Sequence, residues 1–128
     1  GELSLEEFCA RPPFRDILVQ VIVPKGTERT VYLSQRNTAT DFPVLTCALS
    51  RREGRTLCAV GARPGRAEPF EDRQGLLDGG ITPEGAQAFA REAAGRFRFG
   101  SNLRGSAQYR QEICQVLVRR GLLAMEGE

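Results

Sequence analysis

Histidine is missing from this chain, and lysine is nearly so, with Lys25 its only representative. Without an imidazole, Ser-His-Asp and Cys-His nucleophilic mechanisms are excluded. Zinc and non-haem iron sites that need histidine go with them. A lysine-assisted serine hydrolase would have to use Lys25, which sits in a Pro-Lys-Gly turn. No apolar run approaches the ~20 residues of a membrane span, and there is no signal-peptide pattern. The four cysteines, Cys9, Cys47, Cys58 and Cys114, form no Cys-x-x-Cys pair, and each lies in an apolar segment. They read as reduced, buried thiols of a cytoplasmic protein. Neither sign of charge dominates: 18 basic and 16 acidic residues leave +2. That balance argues against nucleic acid or an anionic membrane as partner.

What is present describes one soluble domain over residues 1–128. Hydrophobic residues make up 41% and charged residues 27%, and a chain this long buries roughly two-thirds of its unfolded surface. Leu3-Ser-Leu-Glu-Glu-Phe8 begins as a helical turn, with Ser4 as cap and Glu7 three residues on. Pro12-Pro13 stops it. Phe14–Val23 is β-branched and apolar on both alternating faces, which predicts a strand ended by Pro24 and Gly26. Thr30–Gln35, Pro43–Ser50 and Arg55–Ala62 predict three more. The last two are joined by a tight hairpin in which Gly54 supplies positive φ. Arg63–Glu68 reads as loop. Glu71–Leu77 predicts a short helix stopped by Gly79-Gly80. Thr82-Pro83-Glu84 is a strong helix start, with cap, proline and acid in order. Ala86, Phe89, Ala90, Ala93 and Phe97 form the stripe behind it. Strands first and helices afterwards predict an α+β fold, with a three- to four-stranded antiparallel sheet carrying about three helices on one face.

The final helix is expected from Ser106 to about Arg120. At about 100° per residue, Gln108, Gln111, Glu112, Gln115 and Arg119 share a solvent face. Ala107, Tyr109, Ile113, Cys114, Val116, Leu117 and Val118 cover a wide apolar arc, and Arg110 and Arg120 project inside it. A buried guanidinium must be paired or solvated. Two readings stay open: bonds within the domain, or a partner surface packed on the arc. Asp41 is the first candidate to meet Arg110, with Arg36 as another possible partner for Asp41. Arg120 is placed to satisfy the helix C-terminus.

Ser101-Asn-Leu-Arg-Gly-Ser-Ala-Gln-Tyr-Arg110, followed by Val116-Leu-Val-Arg-Arg120, resembles the closing helix of the C-terminal domain of molybdenum-hydroxylase flavoproteins. These are the FAD-binding subunits or domains of xanthine dehydrogenases and carbon monoxide dehydrogenases. Asn102 stands where aspartate is commoner. Glu2-Leu-Ser-Leu-Glu-Glu, Arg36-Asn-Thr-Ala-Thr-Asp-Phe-Pro-Val and Val60-Gly-Ala-Arg-Pro-Gly-Arg-Ala resemble further segments of that family in the same order, so the likeness covers nearly the whole chain.

The resemblance implies the C-terminal domain of a longer flavoprotein. FAD there accepts electrons from iron–sulfur clusters of a partner and passes them to NAD or another acceptor, while substrate is hydroxylated at a molybdopterin centre in a third subunit or domain. It implies as partners the FAD-binding region of the same chain and the iron–sulfur and molybdenum subunits. A homodimer is also compatible. Leu3 and Leu33 fall at positions that approach the flavin in the family, the second being commonly lysine there. No glycine-rich loop stands between a strand and a helix, so this chain is expected to be non-catalytic and to hold no FAD tightly by itself. The competing reading is a small interaction or dimerisation module that shares the fold.

Overall fold

Alternating apolar positions and one tight turn set the centre of the molecule. The computed structural model describes residues 1–13, 15–26 and 28–127. Its helices are α1 (Leu5–Ala10), α2 (Pro83–Arg96) and α3 (Ala107–Glu126); its strands are β1 (Arg29–Gln35), β2 (Leu45–Arg52), β3 (Arg55–Gly61) and β4 (Glu68–Glu71). The strands form one antiparallel sheet in chain order. Glu53 and Gly54, at φ 51° and 80°, make the β2–β3 turn, the left-handed pair that a twisted hairpin requires.

Register assigns the faces. Leu33 lies opposite Cys47 and Cys47 opposite Val60; Val31, Leu49, Cys58 and Phe70 make the neighbouring row. These residues face the layer of α2 and α3 and form the core with Phe89, Ala90, Cys114, Val118 and Leu122. Phe70 meets Phe89 edge-on at 5.2 Å and Phe97 at 6.4 Å, arrangements that add to simple area burial. The opposite face carries Tyr32, Ala48, Ala59 and Pro69 in one row, and Tyr32 and Leu57 on it are exposed.

Thr82 caps α2, with Pro83 in the first turn, and the expected Ala/Phe stripe is buried. Ser4 and Glu7 form the capping box of α1. Three expectations fail. The strand Phe14–Val23 does not form: Arg15–Val23 has no regular structure and is exposed, while Phe14 lies outside the described residues. A strand apolar on both faces needs cover on both, and this sheet is covered on one.

The short helix Glu71–Leu77 is replaced by β4 and a turn. The Asp72 carboxylate accepts from Gln74 N at 3.1 Å and Leu77 N at 3.0 Å, and Gly75 is at φ 73°. That side-chain turn competes with helix, while the aromatic contacts of Phe70 hold β4 in the sheet.

α3 runs past Arg120 to Glu126. Gly121 does not stop it, because the helix packs there directly on the sheet: a Cβ at Gly121 would meet Leu49 Cδ1 at 2.4 Å. Leu122 and Met125 beyond it are buried, which outweighs glycine's helix cost of about 1 kcal/mol.

Candidate functional site

The residues singled out in the sequence converge on the turn that feeds α3. Ser106 caps the helix by accepting from Tyr109 N at 3.1 Å, and Ser101 Oγ accepts from Ala107 N at 2.8 Å. Ahead of them, Asn102 and Gly105 exchange backbone hydrogen bonds of 3.0 and 3.2 Å. Asn102 Oδ1 also accepts from Arg104 N at 2.9 Å. The turn is thereby closed on itself, and Leu103 at its tip is fully exposed.

Arg110 is the anchor of this turn. It is 1% exposed, and it is one of the largest fully buried side chains. Nε donates to Val44 O at 2.9 Å and Ala62 O at 3.2 Å. Nη1 donates to Gly100 O at 2.9 Å and to Gly105 O, and Nη2 to Asn102 Oδ1 at 2.7 Å. The planar fork ties the start of β2, the end of β3 and the turn to the helix, which a lysine's point charge could not do. Burial pushes its pKa below the ordinary value, and the charge of Arg104 adds in the same sense; an arginine still stays protonated. Of the two readings, bonds within the domain prevail.

Asp41 is not the partner of Arg110. Its carboxylate accepts from Arg104 Nε at 3.1 Å, with Nη2 also at 3.1 Å, and from Phe42 N at 2.7 Å. The Phe42 N–H, then Arg104, hold its pKa below the ordinary value. Arg36 reaches only the backbone carbonyl of Asp41, at 3.3 Å. Arg110 is met instead by carbonyls and an amide, so its charge is spread over dipoles.

Arg120 also departs from expectation. It is exposed, because α3 continues beyond it, and it lines a shallow depression of about 360 Å³ with Gln87, Glu112, Gln115, Val116 and Arg119. Tyr109 and Val116 are exposed too, so the buried arc is narrower than the helical wheel implies.

Two arginines that the sequence did not single out extend the same device. Buried Arg63 donates to Arg98 O at 2.7 Å and Arg66 O at 3.1 Å and pairs with Glu68 at 2.6 Å. Arg66 donates to Phe8 O at 3.1 Å and Arg11 O at 2.9 Å, holding α1 beside β4. The signal in the sequence was arginines within short loops rich in glycine and proline, where carbonyls lack regular partners.

Leu3 is exposed just before α1, the helix that packs on β4. Leu33 lies in β1, at the opposite edge of the sheet, and its side chain packs on the core near Gly121. The structure does not bring the two together. A second depression, of about 470 Å³, is lined by Arg29, Arg51, Arg52, Glu53, Ile81 and Met125 among others. Arg29 donates there to Met125 O at 3.1 Å and Arg51 to Leu77 O at 3.1 Å. Among the described residues, no group of three or more His, Cys, Asp or Glu is placed to hold a metal ion.

Comparison with known proteins agrees with this architecture. Residues 30–125 match the CO dehydrogenase flavoprotein C-terminal domain. The chain is 33% identical over 66 residues to the nicotine 6-hydroxylase medium subunit of Paenarthrobacter nicotinovorans, a match covering 51% of this chain and 23% of that subunit. Quinoline 2-oxidoreductase from Pseudomonas putida 86 has the same fold (TM-score 0.66, 20% identity, 82% of this chain and 39% of that chain). So does carbon monoxide dehydrogenase from Hydrogenophaga pseudoflava, in a form lacking the Mo-pyranopterin moiety of its molybdenum cofactor (TM-score 0.66, 22% identity, 82% and 40%). The chain therefore spans about a quarter of the length of the relative it matches in sequence, and two-fifths of each of these solved chains.

Proposed function

The chain belongs to the CO dehydrogenase flavoprotein C-terminal domain family, and from that premise we propose that it works as the closing domain of an FAD-containing electron-transfer subunit. The whole enzyme would be a molybdopterin-dependent oxidoreductase of the xanthine dehydrogenase or carbon monoxide dehydrogenase type. Its partners would be the FAD-binding region, an iron–sulfur subunit and a molybdenum subunit, with a homodimer of the assembly compatible and the cytoplasm as its site of action. The observation that carries this reading is the family match, which runs from β1 to the end of α3 and includes the Arg110-anchored turn. The similar nicotine 6-hydroxylase chain is a medium subunit, a name that fits an enzyme of several chains. Among the described residues no helix is long and apolar enough to cross a membrane.

Among the described residues, none form a site that fits an FAD pyrophosphate on its own. A dinucleotide phosphate is usually held by open N–H groups at a glycine-rich helix start. Here the start of α2 is occupied by Thr82 Oγ1, which accepts from Gly85 N at 3.0 Å. The start of α3 is occupied by Ser106 and Ser101. No electron-transfer step is therefore assigned to these residues, and their role is to shape and support. Exposed Leu3 is available for apolar contact with a flavin ring, whereas the side chain of Leu33 is engaged with the core.

The test is the native gene product. Purified under gentle conditions, it should carry FAD and co-purify with iron–sulfur and molybdenum subunits. This chain by itself should be colourless after dialysis. A native product of this size alone, without flavin, would instead favour the interaction module.

A further inference from the structure

Ile17, Leu18, Val19, Val21, Ile22 and Val23 lie between 60% and 88% exposed. Ile17 N donates to Asp16 Oδ1 at 2.8 Å, and among the described residues no other hydrogen bond engages the backbone of residues 17–23. A stretch this apolar, with its amide groups unpaired, is an incomplete strand. The stretch lies in sequence between α1, whose Phe8 and Arg11 carbonyls accept from Arg66, and β1, an edge strand of the sheet.

We propose that residues 17–23 form an interior β-strand in a sheet supplied by the flavin-binding region of the same flavoprotein. This rests on the function proposed above and names the segment that joins the two parts. Both faces of the strand are apolar, with Gln20 the one polar residue, which is the pattern of a strand buried on both sides. The domain's own sheet is a poor host, since adding the strand beside β1 would leave one face in water. A second copy is a poor host too, because two such strands form a ribbon whose faces stay bare. The match to the family domain covers residues 30–125, so the segment lies outside the match, and the chain covers only 39% and 40% of two solved relatives. Strand addition supplies the missing backbone partners while pockets on both faces take the side chains.

Hydrogen–deuterium exchange tests this on two samples, the flavin-loaded native assembly and this chain alone. Amides of residues 17–23 should be protected at least about 100-fold more in the assembly than in the chain alone. In the full flavoprotein Val21→Pro removes one donor and should speed exchange of the neighbouring amides at least about tenfold, while leaving the thermal transition of this chain alone unchanged. Rapid exchange of these amides in an assembly that holds its flavin would overturn the strand and leave the functional reading intact. Dimers of this chain alone that protect residues 17–23 and dissociate on Val21→Pro would make a second copy the occupant and overturn the proposal. A native product without flavin would defeat the functional reading itself.

Discussion

Replacing Arg110 with alanine removes five hydrogen bonds at once, to Val44 O, Ala62 O, Gly100 O, Gly105 O and Asn102 Oδ1. Bonds from a charged donor contribute about 1.5–3 kcal/mol each, but they are not additive, because the variant also no longer buries a guanidinium, which costs several kcal/mol. The turn carbonyls can recover water, since Gly100 and Gly105 are only half-buried; Val44 is buried and its carbonyl cannot. The expected loss is about 3–5 kcal/mol, at the upper end for a single change. Arg110→Lys keeps the charge without the fork and should lose about 2–3 kcal/mol. Denaturant unfolding measures both. A double-mutant cycle then locates the partner: coupling between Arg110→Ala and Asn102→Ala should fall within about 0.5–3 kcal/mol and exceed that between Arg110→Ala and Asp41→Asn. A loss under about 1 kcal/mol for Arg110→Ala, or stronger coupling to Asp41 than to Asn102, would refute the anchor.

Gly121→Ala should destabilise by about 1–3 kcal/mol despite better helix propensity, because its Cβ meets Leu49 at 2.4 Å; Gly95→Ala, with nothing within 4 Å, should stabilise by about 0.5–1 kcal/mol, and thermal unfolding compares them. The depressed pKa of Asp41 gives stability that is present above its ordinary value of 3.8 and lost as pH falls through the folded value, so Asp41→Asn should flatten the acid limb of the melting profile. Burial first, with Cys47 beside it, pushes the Cys114 thiol up to about 12; its contribution is present below the ordinary value of 9.0 and fades as pH rises from there toward about 12, so Cys114→Ala should show a shallower alkaline decline. Half-buried Cys9 should react with a thiol reagent in the folded protein, and buried Cys47, Cys58 and Cys114 only on unfolding.

The hairpin at Glu53-Gly54, the Ser4 and Thr82 caps, the α2 stripe and the α+β order were all legible in the sequence. Each depends on neighbours within a few residues, where backbone preference and side-chain capping decide alone. So was the place of Arg110 within the apolar arc, since helical period fixes its angle on α3, although the same period put Arg120 there and it is exposed. The partners of Arg110 were not legible, because Val44 and Ala62 are 66 and 48 residues away and only folding brings their carbonyls beside the guanidinium. Asp41 was an electrostatically reasonable partner, yet Arg104, held by the closed turn, lies nearer. Glu71–Leu77 carried the wrong local signal, and residues 15–23 carry a strand signal that this sheet does not answer. The first yields to a side-chain turn and to rings that pull Phe70 into the sheet. The second is a strand by composition, but a strand exists only where another edge accepts its hydrogen bonds and another layer covers each apolar face.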